Sequence, residues 1–340
     1  MTVLAQLKAS NARLTQATTP RTAVFVGGTD GIGKRALTEL VSTGFPLKAY
    51  IIGRDRARHQ PLLEGLRAIN NNADLIYLEG QISLISEVRR ITDEILDKEQ
   101  EIDLLYHSAG FLPFVGRQET VEGLELSAAV AHHSRFAFIS QLLPKLQAAV
   151  KSGPGRYSPR IISILAAGNE STDLFLNDLS LKEPGRFNIP TYAKHVATMV
   201  TLSMKRFAEQ PENKNIVFVH AHPGRVATDL LRKSWGDKWD SKAPPSPAPS
   251  AGNFSRWTPE ESGQKALYLM TSAEYGGKGV EVLKERSAGL TVNHQAAGSL
   301  FSVNDVMETL QQDTLLADLE AMGAPDAIWD YTVKTVAPWL

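Results

Sequence analysis

The sequence predicts a doubly wound α/β domain, a parallel sheet with helices on both faces. Short β-rich runs alternate with longer amphipathic patterns from residue 22 to about 220, and the first run ends in a glycine-rich turn that opens a helix. No internal repeat and no second turn of that kind interrupts the series. In order, "TAVFVGG" reads as a strand, "GKRALTELVSTG" as a helix, "KAYIIGR" as a strand, "QPLLEGLRAIN" as a helix and "ADLIYLEG" as a strand. The amphipathic "LISEVRRITDEILDKE", the buried strand "IDLLYHSAG" and the long helix "LELSAAVAHHSRFAFISQLLPKLQAAV" follow. "PRIISILAAG" (strand), "TYAKHVATMVTLSMKRFAEQ" (helix) and "NIVFVHAHPG" (strand) complete the alternation. Six strands joined by right-handed helical crossovers build a Rossmann-like sheet.

Regularity ends at 234–256, where four prolines with Ser and Gly exclude helix and strand. Trp235, Trp239, Phe254 and Trp257 in or beside this stretch suggest a lid over the site, against the plainer reading of a solvated loop. Thr258 with acids behind it marks a helix start. Residues 279–294 are expected to give a last strand and 302–340 further helices. The division expected is a leader at 1–20, a nucleotide-binding body at 21–295 and a helical extension at 296–340. The leader lacks acids and carries Lys8 and Arg13; a short helix before the first strand is a simpler reading than a mitochondrial presequence.

Composition narrows the function. With 36 Lys and Arg against 37 Asp and Glu, the net charge of −1 points to a small-molecule partner rather than nucleic acid or a membrane surface. No run of about 18 apolar residues suggests a membrane span. The chain has no Cys, so thiol nucleophiles, zinc-thiolate sites and disulfides are excluded, which fits a cytoplasmic location. His132 with His133, and His220 with His222, lack completing ligands and are read as structural, so no metal is expected. His107 and Ser108 close the fourth strand.

"VFVGGTDGIGK" carries the strongest signal. Gly27, Gly31 and Gly33, with Ile32 between the last two, follow a strand and open a helix, so the backbone can approach a pyrophosphate and offer it N–H groups. At the end of the second strand, where NAD sites place a carboxylate, stand Gly53 and Arg54, with Arg56 close behind. NADP is the expected cofactor. Asp55 would reach the ribose if the strand ended one residue later, and a solvated turn is the plain alternative for the arginines.

Over about residues 20–230 the chain resembles the short-chain dehydrogenase/reductase family. The glycine turn matches TGxxxGxG with Val26 for Thr, "HSAG" stands for NNAG, and "HPGRVATDL" keeps the Pro-Gly pair. The resemblance implies that Ala109 and Gly110 lie beside the adenosine, and Pro223, Gly224 and Thr228 toward the nicotinamide. In its "ASNAR" leader and "VFVGGTDGIG" turn the chain is similar to an atypical fungal branch associated with secondary metabolism. The family also implies a homodimer paired through long helices.

The family's catalytic tetrad is Asn, Ser, Tyr and Lys. Matching residue by residue puts Ala131 at the Asn, Ala166 at the Ser and Pro190 at the Tyr; Lys194 alone keeps its identity. Tyr192 is two residues from Lys194, a rotation of about 200° on a helix, so it is not expected to act in place of the lost Tyr. Losing an oxyanion donor costs about 2.7–4 kcal/mol and losing a general acid about 10²–10⁴ in rate. Lys194, Thr191, His195, Asn169, Ser163 or water are the candidate replacements, with cofactor binding the main role for Lys194 and packing for His195. The leading expectation is an NADP-dependent oxidoreductase with altered proton delivery, acting on an activated substrate such as an iminium or enone. A non-redox cyclase or isomerase on the same fold, or a cofactor-binding protein without catalysis, are the alternatives.

Overall fold

The computed structural model describes residues 1–152, 157–238 and 256–340. Helix α1 (Val3–Asn11) precedes β1 (Thr22–Val26), α2 (Gly31–Val41), β2 (Leu47–Gly53), α3 (Arg56–Ile69), β3 (Ala73–Glu79), α4 (Ile85–Lys98) and β4 (Leu104–His107). Then come α5 (Leu126–Ala128) and α6 (Ser134–Lys151), joined into one helix by a π-turn at Ala129–His133. β5 (Arg160–Ile164), α7 (Ile189–Ala208), β6 (Val217–Ala221), β7 (Arg225–Val226) and α8 (Leu230–Trp235) follow. β8 (Arg256–Trp257), α9 (Pro259–Thr271), β9 (Leu300–Val303), α10 (Asp313–Ala321) and α11 (Ala324–Val336) end the chain.

Seven strands form one parallel sheet in the order β3-β2-β1-β4-β5-β6-β9. Each face buries alternate residues, which is why the strands read as unbroken apolar runs. Val24, Val26, Tyr50, Ile52, Leu105, Ile161 and Phe218 pack against α4, α6 and α7. Ala23, Phe25, Ala49, Ile51, Tyr106, Ile162 and Val219 pack against α2 and α9. The chain builds outward from β1 to β3 and then returns to the other flank of β1 at β4. A crevice therefore opens at the carboxyl ends of β1 and β4, where this class of sheet binds ligands.

Local rules set the helix starts. Asn188 caps α7 by accepting from the Thr191 N–H, with Pro190 in the first turn where its missing N–H costs nothing. Thr258 and Glu261 form a reciprocal capping box on α9. The N-terminal segment packs on the body: Leu7 is buried and the Asn11 amide donates to Gln264 on α9. The C-terminal helices α10 and α11 bury Leu316, Leu319 and Ile328 against the α7 face.

The last strand differs from expectation. It is Leu300–Val303 and not 279–294, whose apolar Val280 and Val292 instead anchor an irregular segment to the core. A four-residue strand buried on both faces gives no alternation to read. Of the 234–256 stretch, residues 239–255, with Trp239 and Phe254, lie outside the described residues; at its margins β7 and β8 pair in parallel. Among the described residues no helix is long and apolar enough to cross a membrane.

Candidate active site

The glycine turn and the end of β4 fit together at backbone distance. Gly27 has φ +98°, and a Cβ there would lie 2.6 Å from the Ala109 nitrogen. A Cβ on Gly33 would overlap the Gly27 carbonyl oxygen at 2.2 Å. The Ala109 N–H and the Ser108 hydroxyl donate to the Val26 and Gly27 carbonyls, while Thr228 lies against Gly31. Gly110 borders open space. Gly27, Gly31, Gly33, Ala109 and Thr228 thus gather at one place, with Ile32 on the same helix start. Asp30 caps α2 through the Gly31 N–H at 2.7 Å and pairs with Lys233 of α8. The Ile32 and Gly33 N–H groups have no acceptor within the helix, so the cradle fits a pyrophosphate.

At the end of β2 the charged residues divide their tasks. Asp55 caps α3, accepting from the Arg58 N–H at 2.9 Å. Arg56 donates to the Tyr77 carbonyl at 2.6 Å and lies over the Tyr77 ring. Arg54 is exposed and, among the described residues, forms no ion pair or side-chain hydrogen bond. Gly53 beside it closes on Thr29 of the glycine turn.

Pro223 and Gly224 follow β6. The Pro223 carbonyl accepts from Lys265, a buried lysine that also donates to the Asp305 carbonyl and lies 4.4 Å from the centre of the Trp257 ring. Burial pushes the Lys265 ammonium down to about 8, against the pull of Asp305 and Glu261. Gly224 takes φ +77° and donates its N–H to His222 Nδ1. Nearby, Trp235 stacks on Phe114 and the Ser234 hydroxyl accepts from the Leu112 N–H, so α8 lies on the segment that follows β4.

The matrix of the second half of the site is different. Ala131 is buried in the π-turn, and Ala166 donates its N–H to His220 Nε2. Pro190 is exposed at the head of α7. Lys194, 42% exposed in its side chain, pairs with Asp173 at 2.6 Å, and among the described residues no hydrogen bond or ion pair joins it to the glycine turn. Tyr192 is buried away from it, beside Phe187 and Ser127; burial, aided by Glu125, raises its hydroxyl pKa well above the ordinary range.

A short-chain dehydrogenase model matches residues 21–162. An NmrA-like family domain-containing oxidoreductase, notO of Aspergillus sp. (strain MF297-2), is 33% identical over 91% of this chain and 87% of its own. The chain belongs to the short-chain dehydrogenase/reductase family. Oxidoreductase AN1596 of Emericella nidulans is 30% identical over 98% of this chain and 97% of its own. In fold this chain is similar to an NADPH-bound carbonyl reductase from chicken fatty liver, at 18% identity and TM-score 0.54 over 86% of this chain and 99% of that one. A Pseudomonas aeruginosa RhlG/NADP complex gives 20% identity and TM-score 0.52, over 78% and 95%.

In this Rossmann-fold oxidoreductase of the short-chain dehydrogenase/reductase family, buried polar groups that the sequence did not single out surround Ala131 and Ala166. Arg135, 2% exposed, donates from Nε to Ser163 Oγ, from one terminal nitrogen to the Val130 and Ala131 carbonyls, and from the other to the Ala109 and Ile164 carbonyls. His220 accepts at Nε2, so its proton sits on Nδ1 and is donated to Thr201 Oγ1 at 2.7 Å; Thr201 in turn donates to Glu170 at 2.5 Å. Burial holds His220 near 3, hence neutral. His195 accepts from the Phe175 N–H, and burial lowers it to about 4, a loop clamp. Ser163 serves Arg135, and Asn169 donates to the Ala166 carbonyl. His132 bonds Thr332, His133 packs edge-on to Tyr331, and the buried His107 Nε2 has no hydrogen-bond partner among the described residues. Among the described residues no group of three or more His, Asp or Glu is arranged to hold a metal ion. The signal for Arg135 was a lone charge inside the apolar run "AVAHHSRFAFI".

Proposed function

We propose that the chain is an NADP(H)-dependent oxidoreductase of fungal secondary-metabolite biosynthesis that delivers its proton without the family's tetrad. One observation carries the cofactor assignment: Asp55 is engaged in capping α3, while Arg54 next to it is exposed and, among the described residues, forms no ion pair or side-chain hydrogen bond. A carboxylate held by its own helix start is poorly placed for a ribose hydroxyl, and a free guanidinium suits the 2′-phosphate. Gly27, Ile32, Gly33, Ala109 and Gly110 would hold the dinucleotide, with Pro223, Gly224 and Thr228 toward its nicotinamide and Lys194 toward its ribose once released from Asp173. The bound nicotinamide supplies hydride chemistry.

Proton delivery is then left to water. The imidazoles around the tetrad positions are buried and neutral, and Ser163 is engaged by Arg135. An activated acceptor that needs no strong acid suits such a site. A second reading, a cyclase or isomerase in which NADP only shapes the pocket, draws on the three vacated tetrad positions. Titration with NADPH and NADP, followed by the absorbance of the reduced cofactor during turnover of enones, imines and ketones, separates them. Binding with cofactor oxidation supports the redox reading; product without cofactor oxidation favours the isomerase; no binding of either form ends both.

A further inference from the structure

Arg135 has an unusual setting for a cation. All five of its N–H donors are occupied, and all five acceptors are neutral oxygens. Among the described residues it forms no ion pair. The buried carboxylates in the neighbourhood have other partners: Glu125 accepts from Ser127 and the Ala128 N–H, and Glu170 from Thr201, Gln312 and the Gly168 N–H. The acceptors of Arg135 come from the end of β4 at Ala109, the end of β5 at Ser163 and Ile164, and the π-turn at Val130 and Ala131. The π-turn holds the matched position of the family's Asn, and Ile164 is two residues before that of its Ser. A buried guanidinium with every donor engaged cannot bond a substrate, but its unit charge still acts across the site through a low-dielectric interior. After burial itself, that charge is among the causes holding His107, His132 and His220 neutral.

Resting on the redox reading above, we propose that Arg135 is a fixed positive charge behind the vacated tetrad, which selects an uncharged conjugated carbonyl over an iminium cation and favours the reduced cofactor over the oxidised one. Hydride addition to the β-carbon of an enone breaks the donor C–H bond and moves the π electrons to oxygen, leaving an enolate that takes its proton from water, while the nicotinamide is left oxidised with one positive charge. The anion forms on the Arg135 side, where the oxygen-binding donors of the family once stood, so the field replaces part of what they supplied. An iminium would bring a second cation to the same place. Arg135 is a positioning and electrostatic residue here, not a proton donor.

The test is an equilibrium titration of the full chain with NADPH and NADP, for the wild type, Arg135→Lys and Arg135→Gln, together with enone and preformed iminium reduction by the wild type. At an effective dielectric of about 20, a unit charge some 7 Å away changes the binding of a unit charge by about tenfold or more. The wild type is therefore expected to hold NADPH about tenfold tighter than NADP; Arg135→Lys keeps that ratio and Arg135→Gln brings it toward one. Equal binding of the two forms by the wild type, an unchanged ratio in a folded Arg135→Gln, or faster reduction of the iminium than of the enone overturns the proposal. The first and last need no variant, so a misfolded Arg135→Gln does not shield it. Absence of cofactor binding altogether is a different result, and ends the redox reading beneath it.

Discussion

At the carboxyl end of β1, Gly27, Gly33 and Ala109 meet through backbone contacts that one added Cβ would break, whereas at the end of β5 buried polar side chains hold the backbone, Arg135 at the Ala131 carbonyl and His220 at the Ala166 N–H. The first region is specified by shape. The second is held by side chains: Arg135, Glu170, Thr201 and His220, whose bonds fix the loop after β5 and the π-turn. One region is thus set by backbone shape, the other by buried charge and hydrogen bonds.

The sharpest break in this comparison comes from the shape-specified half. Gly33→Val places a Cβ 2.2 Å from the Gly27 carbonyl oxygen, a backbone atom that cannot rotate aside. The expected loss is about 3 kcal/mol or more in urea unfolding, together with loss of cofactor binding. A variant with the wild-type midpoint would show that the turn is not as tightly set as its geometry implies.

Lys265, under the Pro223–Gly224 turn after β6, tests a buried charge with comparable force and a pH signature. Burial dominates and pushes its ammonium down to about 8 in the folded chain, against about 10.4 in an unfolded one. Because the unfolded state then binds the more protons, stability rises with pH between about 8 and 10.4, and the cost of the buried charge is fully present below about 8. Raising the pH from 7.5 to 10.5 should stabilise the wild type by roughly 3 kcal/mol relative to Lys265→Met, which lacks the titrating group. Parallel stability curves for the two proteins would refute it. Lys265→Met also frees the Pro223 carbonyl, so the loop at Gly224 should loosen at every pH.

The same contrast explains what the sequence disclosed. The sheet was legible because each strand is apolar on both faces and each helix carries a stripe at the 3.6-residue period, and the glycine turn because its context is strand, turn, helix. β9 escaped because four buried residues have no period. Arg135 and Lys265 escaped for another reason: a charge inside or at the edge of an apolar run says only that something satisfies it. The partners of Arg135 come from the ends of two strands and a π-turn, and those of Lys265 from Pro223 and Asp305, which adjoin only in the folded chain. The division of labour between Arg54, Asp55 and Arg56 was likewise hidden until the end of β2 was placed.

Arg54 gives the next smaller effect. If its exposed guanidinium receives the 2′-phosphate, Arg54→Ala should weaken NADPH by about 2 kcal/mol, some thirtyfold, and leave NADH nearly unchanged. Unfolding stability should stay within about 0.5 kcal/mol, since the side chain is exposed and touches little. An equal loss for both cofactors would place the residue near the adenine or pyrophosphate and not the phosphate.

Lys194 should give the least in stability and the most in interpretation. Its pair with Asp173 is short, but both side chains are largely exposed, so breaking it with Lys194→Ala should cost no more than about 1 kcal/mol and less in high salt. Asp173→Ala separates the two roles open to the lysine. If Lys194 only pins the loop after β5, removing either partner has the same small effect on NADPH binding. If it turns to the ribose when the dinucleotide arrives, Asp173→Ala frees it and tightens NADPH, while Lys194→Ala weakens it by several-fold. Opposite signs in the two titrations would make Lys194 the one tetrad residue whose work survived the rebuilding; equal signs would leave that half of the site with none.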